Sequence, residues 1–336
     1  MIRLTQTTMD EDIVPVIDFA PFREGGEIAR RRTADEIDRA CRSIGFLVIG
    51  GHGIPQELID RAFAISRTFF AQSTDTKMQA APPDKTIPRG YQAFASKRLA
   101  ATLGIDTPPD LREQFFMGPP EDHSDLVAAY PDAERFYATN IWPEAPDGFR
   151  ETMTELYRAF ERLGSDLMTA FALGLGLPED YFASRIDRHF STGTTNLYPA
   201  LQTAPEEGQL RTGMHTDFGS LTLLLRSETV GGLQVQGDDG DWYDVPDIPG
   251  TLVVNIGDMM ARWTNDQWRS TLHRVANPPT VDGTQPDRQS MAYFLHPNYD
   301  SMVEALPGCV TASHPAAYPP IMAGEHMREK LVKRVV

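Results

Sequence analysis

The first eighty positions alternate between helical hydrophobic spacing and short apolar runs. Apolar residues recur at helical intervals in "EIARRRTADEIDRACRSIG", where Gly45 marks the expected end, and in "PQELIDRAFAISRTFFAQS", which Pro55 opens. The runs "IVPVIDFAPF" and "FLVIGGHGIP" are short and bounded by proline or glycine, which is typical of strands. The pattern therefore predicts strand, helix, strand and helix in this order.

The next two segments differ in their hydrophobic periodicity. Between 81 and 148 the breakers in "APPDKTIPRGY", "GPPEDHSD" and "PEAPDG" predict an irregular excursion with little regular structure, of a kind that often lines sites. From 147 to 178, apolar positions keep steps of three and four and predict one long spine helix with a single buried face. These positions are Phe149, Met153, Leu156, Tyr157, Phe160, Leu163, Leu167, Phe171 and Leu175.

The rest of the chain has the pattern of short strands separated by Gly, Pro, Asp and Asn turns. The predicted strands are "GTTNLYPAL", "LTLLLRS", "GGLQVQG", "DWYDVP", "TLVVNIGDMM", "TLHRVAN" and "QSMAYFLHP". Their spacing of about ten residues favours an antiparallel sandwich or barrel over βαβ units. The segment "YPPIMAGEHMREKLVKRVV" predicts a final helix that returns over this core.

The predicted fold class is therefore mostly β with a helical N-terminal half, forming one functional domain. Residues 1–146 are expected to be helical or irregular, 147–178 to form the spine helix, 179–310 to form the β core, and 311–336 to form the C-terminal helix.

Composition narrows the classes of function. The chain has 336 residues, 41% of them hydrophobic, and a formal net charge of -16, which argues against a sequence-independent grip on nucleic acid or anionic lipid. No stretch approaches the roughly 18 apolar residues of a membrane span, so a cytoplasmic protein without a membrane partner is expected. Cys41 and Cys309 are expected to be ordinary thiols. Composition gives no indication of oligomeric state.

Candidate chemistry begins at "GMHTDFGSLTLLL", where His215 and Asp217 stand two residues apart before a buried run. At a strand end, two such side chains point to the same side and can hold one ion. A divalent iron that must bind oxygen and an organic ligand needs two histidines and one carboxylate on one face. His273 in "STLHRVAN" is the candidate third ligand. Without it, the His-x-Asp pair is an ordinary polar turn.

A second polar group follows in "RQSMAYFL", where Arg288 and Ser290 share one strand face. A guanidinium beside a hydroxyl is suited to a carboxylate, because arginine grips it bidentately and serine adds a hydrogen bond. Asn196 and Tyr198 in "TTNLYP" have the same spacing. Their side chains are candidates for the same ligand.

The constellation His215-x-Asp217, His273 and Arg288-x-Ser290 resembles the iron(II) and 2-oxoglutarate dependent oxygenases of the isopenicillin N synthase group. The likeness covers nearly the whole chain. The segments in that family's order are "VPVIDFAPF", "GFLVIGGHGIP", "RGYQAF", "LREQFFMG", "NLYP", "GGLQV", "NIGDMMARWTNDQWRSTLHRV", "YFLHPNYD" and "YPPIMAGEHM".

The resemblance implies a double-stranded β-helix, or jelly roll, with iron(II) near its mouth. The implied metal ligands are His215, Asp217 and His273. The residues implied to bind or flank the cosubstrate 2-oxoglutarate are Arg288, Ser290, Tyr198 and Leu223, with Asn196 close to the metal. The implied activity uses oxygen to hydroxylate, desaturate or cyclise a small molecule while 2-oxoglutarate becomes succinate.

Two alternatives remain at the level of sequence. Within the same fold, isopenicillin N synthase and the plant ethylene-forming oxidase work without 2-oxoglutarate, and their motif residues look alike. A jelly-roll module that binds a ligand without catalysis is the alternative from another class. Formation of succinate and carbon dioxide in step with substrate loss separates these readings.

The substrate pocket is expected between the 81–117 segment, inward strand residues and the C-terminal helix. The aromatic share suggests a largely apolar small molecule, a specialised metabolite or a modified amino acid. The candidate substrate residues are Arg89, Tyr91, Phe94, Phe115, Phe116, Phe294 and Met327. His296 and His326 are further candidates, and Trp263 and Trp268 are expected to pack the rim of the sheet.

Overall fold

The computed structural model describes residues 13–84, 86–227, 231–279 and 285–332. The polar N-terminal start and the last four residues of the predicted final helix lie outside these ranges. The helices are α1 (Ala20–Glu24), α2 (Glu27–Ser43), α3 (Gln56–Phe70), α4 (Thr74–Met78), α5 (Ser124–Ala129), α6 (Phe149–Gly174), α7 (Asp258–Trp263) and α8 (Ala323–Val332). The strands are β1 (Val16–Asp18), β2 (Phe46–Gly50), β3 (Gly90–Gln92), β4 (Glu113–Met117), β5 (Thr192–Tyr198), β6 (Thr212–His215), β7 (Leu221–Arg226), β8 (Leu233–Gln236), β9 (Trp242–Asp244), β10 (Leu252–Ile256), β11 (His273–Val275), β12 (Arg288–Leu295), β13 (Met302–Val303) and β14 (Ile321–Met322).

The larger sheet draws strands from both halves of the chain. In the described residues its eight strands have the order β1-β2-β10-β7-β12-β5-β4-β3, and only the β1 and β2 pair is parallel. The strands predicted in "IVPVIDFAPF" and "FLVIGGHGIP" are β1 and β2 at one end of this sheet, but the expectation of an irregular segment between 81 and 148 missed β3 and β4 at the other end. These two strands are too short to outweigh neighbouring breakers in sequence, and pairing of β5 with β4 and of β4 with β3 stabilises them.

A smaller antiparallel sheet, with the order β6-β11-β8-β9, lies against the larger one. The strand β6 was not among the predicted strands, because its four residues are too few for a clear period. The predicted strand "TLVVNIGDMM" extended too far, since Gly257 ends it and Asp258 begins α7.

The spine helix is confirmed as α6, which packs against α2, α3 and one face of the larger sheet. Eight of its nine predicted apolar positions are buried, and Leu175 lies just past the helix end, half-buried. In the part of the chain that is described, no helix is long and apolar enough to cross a lipid bilayer.

The two faces of the larger sheet bury different cores. The helix face carries odd-numbered residues of β7 and β12, including Leu223 and Tyr293, which pack with the helices. The opposite face, here called the inner face, packs with the smaller sheet, because Tyr198 and Val253 share a core with Val235. Even-numbered residues of β7 and β12 therefore point to the inner face.

Candidate metal centre

His215, Asp217 and His273 come together where the smaller sheet ends. His215 closes β6 and His273 opens β11, and the two residues are direct partners in the antiparallel pair, with ring centroids 4.2 Å apart. Asp217 follows β6 in a turn and is 6% exposed. One ligand atom from each residue lies within 4.8 Å of the other two, as metal coordination requires.

Backbone carbonyls fix which nitrogen each imidazole offers. His215 Nδ1 lies 2.9 Å from the Gly213 carbonyl and His273 Nδ1 lies 3.1 Å from the Thr271 carbonyl. A carbonyl only accepts, so each Nδ1 carries the proton and each Nε2 keeps a lone pair. The two Nε2 atoms are 3.6 and 3.7 Å from Asp217 Oδ1, so three electron pairs converge on one point.

The second oxygen of Asp217 is held by two donors from the larger sheet. Thr222 Oγ1 donates to Oδ2 at 2.5 Å and Asn255 Nδ2 donates at 2.7 Å. Burial opposes ionisation of Asp217, but the imidazoles and these hydrogen bonds hold its pKa below the usual value. Burial, with His273 nearby, lowers the pKa of His215 to about 3, so this ring is neutral. Two imidazole nitrogens and one carboxylate oxygen are the donor set that fits iron(II).

A positive side chain without a partner lies on the same inner face. Arg288 is 2% exposed, and neither Nη1 nor Nη2 has a hydrogen-bond partner among the described residues. Its guanidinium lies 5.1 Å from the ring centroid of Tyr198, its direct neighbour on β5. A buried guanidinium with two unpartnered nitrogens, which carry four N–H donors, is costly unless a carboxylate binds it, so this geometry fits the far end of 2-oxoglutarate.

The neighbours of Arg288 form a polar surface. Asn196 lies opposite Ser290 and donates to its Oγ at 3.1 Å. Burial raises the pKa of Tyr198, but the charges of Arg112 and Arg288 and hydrogen bonds from Thr212 and Ser290 outweigh it, so the net pKa is lowered.

Sequence reasoning missed two residues of this polar surface. Gln114 on β4 donates to Asn196 Oδ1 at 2.7 Å, and Arg112 lies close enough to Tyr198 to lower its pKa. Alternation within "LREQFF", extended one residue before β4, places Arg112 on the same face as Gln114 and Phe116. The segment was treated as irregular, so this alternation was not used.

The substrate candidates divide between the two faces. Phe116 and Phe294 are half-buried on the inner face, and Phe294 lies opposite Thr222. Phe115 lies on the helix face, where its ring packs 5.4 Å from Phe69 and 5.0 Å from Phe149. Only the inner-face phenylalanines are positioned to meet a ligand in the barrel.

Four other candidates are engaged elsewhere. Tyr91 donates to the Glu113 carboxylate on the helix face at 2.5 Å. Arg89 donates to the carbonyls of Ala138, Pro88 and Phe136 at 2.9, 2.7 and 2.6 Å, so its guanidinium is a structural anchor. Leu223 and Met327 are buried in the core on the helix face. The expectation that Leu223 flanks the cosubstrate does not fit the structure, because its side chain lies on the helix face, opposite to that of Arg288.

The remaining candidates differ in their exposure to solvent. Phe94 follows β3 and is 42% exposed. His296 follows β12, stacks on Phe190 at 5.0 Å and has a buried Nδ1 without a partner in the described chain. Burial lowers its pKa to about 3 and that of His326 to about 4, so both rings are neutral. Trp263 and Trp268, expected at the rim of the sheet, are fully buried in the core that contains the helices, and both cysteines are free and buried.

Comparisons with known proteins agree with this site. Residues 14–145 match the model of the N-terminal region of non-haem dioxygenases in morphine synthesis, and residues 192–297 match the 2OG-Fe(II) oxygenase superfamily. Validamycin A dioxygenase of Streptomyces hygroscopicus subsp. limoneus is 34% identical over 95% of this chain and 86% of its own length. A 2-oxoglutarate-Fe(II) type oxidoreductase of Emericella nidulans is 34% identical over 94% and 88%. The crystal structure of Neurospora crassa T7H with alpha-ketoglutarate and thymine has a TM-score of 0.83 and 32% identity over 95% of this chain and 96% of that chain.

The chain therefore belongs to the 2OG-Fe(II) oxygenase superfamily. It is an Fe(II)/2-oxoglutarate-dependent dioxygenase that uses oxygen to couple decarboxylation of 2-oxoglutarate to oxidation of a small molecule. The predicted family, activity and cofactors are confirmed. Use of 2-oxoglutarate is favoured over the oxidase without it and over the noncatalytic module.

Proposed function

We propose that His215, Asp217 and His273 hold the iron and that Arg288, with Ser290 and Tyr198, holds the distal carboxylate of 2-oxoglutarate. The observation that carries this assignment is the pair of buried Arg288 nitrogens, Nη1 and Nη2, which have no hydrogen-bond partner in the described part of the chain and lie on the face that also supports the triad. The two facing sheets are proposed to form the double-stranded β-helix that encloses both sites.

Groups around the site orient the atoms that bind the iron and the cosubstrate. When bound, iron(II) and 2-oxoglutarate supply the activation of oxygen and the oxidation of a substrate carbon. The carbonyls of Gly213 and Thr271 keep both Nε2 atoms free to bind a metal. Thr222 and Asn255 orient the Asp217 carboxylate. Arg288 neutralises one carboxylate of the cosubstrate in a space that excludes water.

The proposed substrate is a small, largely apolar molecule of specialised metabolism or a modified amino acid, with hydroxylation as the default outcome. Phe116 and Phe294 supply apolar surface on the inner face. His296 adds a neutral imidazole with an unpartnered nitrogen, which suits a polar group without charge. The names of the relatives, one acting on validamycin A and one with thymine bound, support a small-molecule substrate. A cytoplasmic location and the absence of a nucleic-acid partner stay predictions.

Anaerobic titration tests the ligand assignment directly. Iron(II) and 2-oxoglutarate added to the wild-type protein should give the weak visible charge-transfer band of a keto-acid chelate. Asp217→Ala should lose iron, whereas Arg288→Met should keep iron and lose affinity for 2-oxoglutarate. A band unchanged in Arg288→Met would contradict the carboxylate assignment. A substrate screen that scores equimolar succinate and oxidised product tests the reaction, and oxidation that proceeds unchanged without 2-oxoglutarate would contradict it.

A further inference from the structure

Four polar side chains cross the inner face of the larger sheet in one line. Gln92, Gln114, Asn196 and Ser290 are direct partners across β3, β4, β5 and β12. Hydrogen bonds join the last three, whereas Gln92 Nε2 has no partner among the described residues, and we call Gln114, Asn196 and Ser290 the amide row. Gln114 Nε2 donates to Asn196 Oδ1 at 2.7 Å, and Asn196 Nδ2 donates to Ser290 Oγ at 3.1 Å. The amide row therefore joins β4 to the serine of the proposed carboxylate receptor.

The direction of these hydrogen bonds is set by a backbone carbonyl. Asn196 Nδ2 also lies 3.5 Å from the carbonyl oxygen of Ser290, an atom that can only accept. The amide nitrogen of Asn196 must therefore face β12 and its oxygen must face β4. Gln114 supplies the donor that this oxygen needs.

This direction decides what Ser290 can do. Its Oγ accepts from Asn196, so its own hydrogen is left for another partner, either the neighbouring Tyr198 oxygen or a ligand. A hydroxyl hydrogen that Asn196 does not take, beside Arg288, suits a carboxylate, which only accepts. Gln114 and Asn196 are 6% and 4% exposed, and Ser290 is 1% exposed, so water is poorly placed to replace a lost donor in this row.

We propose that Gln114 is a positioning residue for 2-oxoglutarate binding. It acts through Asn196, whose orientation it fixes, and it leaves the hydroxyl hydrogen of Ser290 available to the distal carboxylate. The inference rests on the proposed function, because it takes Arg288 and Ser290 as the carboxylate receptor.

Two substitutions change the amide row in graded ways. In Gln114→Glu, an ionised carboxylate can only accept, so Asn196 turns its nitrogen towards β4 and its oxygen towards Ser290. Ser290 must then donate to Asn196, and its hydrogen is lost to the ligand. In Gln114→Met the new side chain has a similar volume, and the change removes the donor to Asn196 without reversing the direction of the hydrogen bonds. The matched control is Gln92→Glu, which makes the same chemical change one strand away at a side chain that is also 6% exposed.

The measurement compares two keto acids on the anaerobic iron(II) protein. The dissociation constants of 2-oxoglutarate and of 2-oxopentanoate, which carries a methyl group in place of the distal carboxylate, are read from the charge-transfer band. For 2-oxoglutarate we expect an increase of about tenfold in Gln114→Glu and a smaller one in Gln114→Met, the effect of one hydrogen bond to a charged group. Binding of 2-oxopentanoate should stay unchanged, and Gln92→Glu should match the wild type.

Each other outcome has a definite meaning. Equal weakening of both keto acids, equal weakening in Gln92→Glu, or no change in either Gln114 variant overturns the positioning role. Thermal unfolding of each variant shows that the fold is intact, and Gln114→Met carries the comparison if Gln114→Glu does not fold. Arg288→Met tests the underlying assignment separately. If it fails to reduce the preference for 2-oxoglutarate over 2-oxopentanoate, the proposed receptor is wrong whatever Gln114 does.

Discussion

Leu223 and Leu224 are consecutive residues of β7, yet their side chains belong to different cores. Leu223 packs with the helices, whereas Leu224 lies on the inner face beside Ala292 and packs against the core that contains Tyr198. The side-chain period of a strand thus places adjacent residues in two different cores, and only the inner core adjoins the proposed carboxylate receptor.

Replacing each of these two leucines by alanine tests the assignment of the two faces. Leu223→Ala should lower the free energy of unfolding by about 2 to 5 kcal/mol, because it leaves a cavity in a packed core, while the KM for 2-oxoglutarate stays unchanged. Leu224→Ala should cost less stability, since Leu224 is only half-buried, and should raise that KM several-fold. Urea unfolding and steady-state kinetics measure both effects. Identical profiles for the two variants would contradict the assignment of faces.

The threonine that supports Asp217 should control iron affinity. Thr222→Val keeps the shape of the side chain but removes the donor to Asp217 Oδ2, so iron affinity should fall by about tenfold or more. Competition with a chelator of known affinity measures the change. Thr192→Val is the matched control, because Thr192 lies on the same inner face opposite Phe294 and has no hydrogen bond to Asp217. A comparable loss in the control would show that the effect is not transmitted through the carboxylate.

Arg89 should behave as an anchor of the chain and not as a substrate ligand. Arg89→Met leaves one buried and two partly buried carbonyls without their donor and should lower the free energy of unfolding by about 3 kcal/mol. The KM for the substrate should not change in protein that remains folded. Arg32→Met, at a side chain that is 82% exposed, should leave stability unchanged. A large rise in KM without loss of stability in Arg89→Met would restore its predicted role.

A buried ion pair on the helix face should also be structural. Lys77 Nζ lies 2.6 Å from Glu113 Oε2, which also accepts from the Tyr91 hydroxyl, and both charged side chains are less than 10% exposed. Glu113→Ala strands a buried ammonium group and should cost about 3 to 5 kcal/mol. Tyr91→Phe removes one hydrogen bond and should cost about 1 kcal/mol. Chemical unfolding measures both, and neither change should alter affinity for iron.

Gly219 should be required by the turn that carries Asp217. An added Cβ would lie 2.6 Å from His296 Nδ1 and 2.8 Å from the Leu295 carbonyl oxygen, so Gly219→Ala must displace the turn or the ring. We expect iron content after purification to fall severalfold. Gly26→Ala, where the space is open, is the control and should retain full iron content. Full occupancy in Gly219→Ala would show that the turn tolerates the displacement.

The ligands and the carboxylate receptor could be predicted because their spacing is local. His215 and Asp217, like Arg288 and Ser290, are two positions apart with one residue between them, and this spacing has meaning in any strand. His273 could be proposed only from its place in a short apolar segment, because the pairing of β6 with β11 that brings it to His215 is not visible in the sequence.

The support around these residues could not be predicted from local patterns. Gln114, Asn255 and Thr222 reach the site from strands whose order in the sheet is set by pairings far apart in sequence. Leu223 shows a second limit, because a continuous apolar run does not reveal which alternate residues face the ligand. The proline, glycine and aspartate residues around β3 and β4 obscured the strand pattern in the sequence. Tyr91, Phe115 and Phe116 were therefore grouped together, although of these three only Phe116 lies on the inner face.

The pairing of β2 with β10 has a consequence for how the chain acquires this structure. Leu47 is the partner of Val254, about two hundred residues later, so the N-terminal strands emerge from the ribosome long before the strand that they join. Such distant pairings slow folding. Until β10 has been synthesised, the apolar strand Phe46–Gly50 lacks this pairing partner. Production of this enzyme should therefore respond strongly to slower synthesis at low temperature and to chaperones that shield unpaired strands.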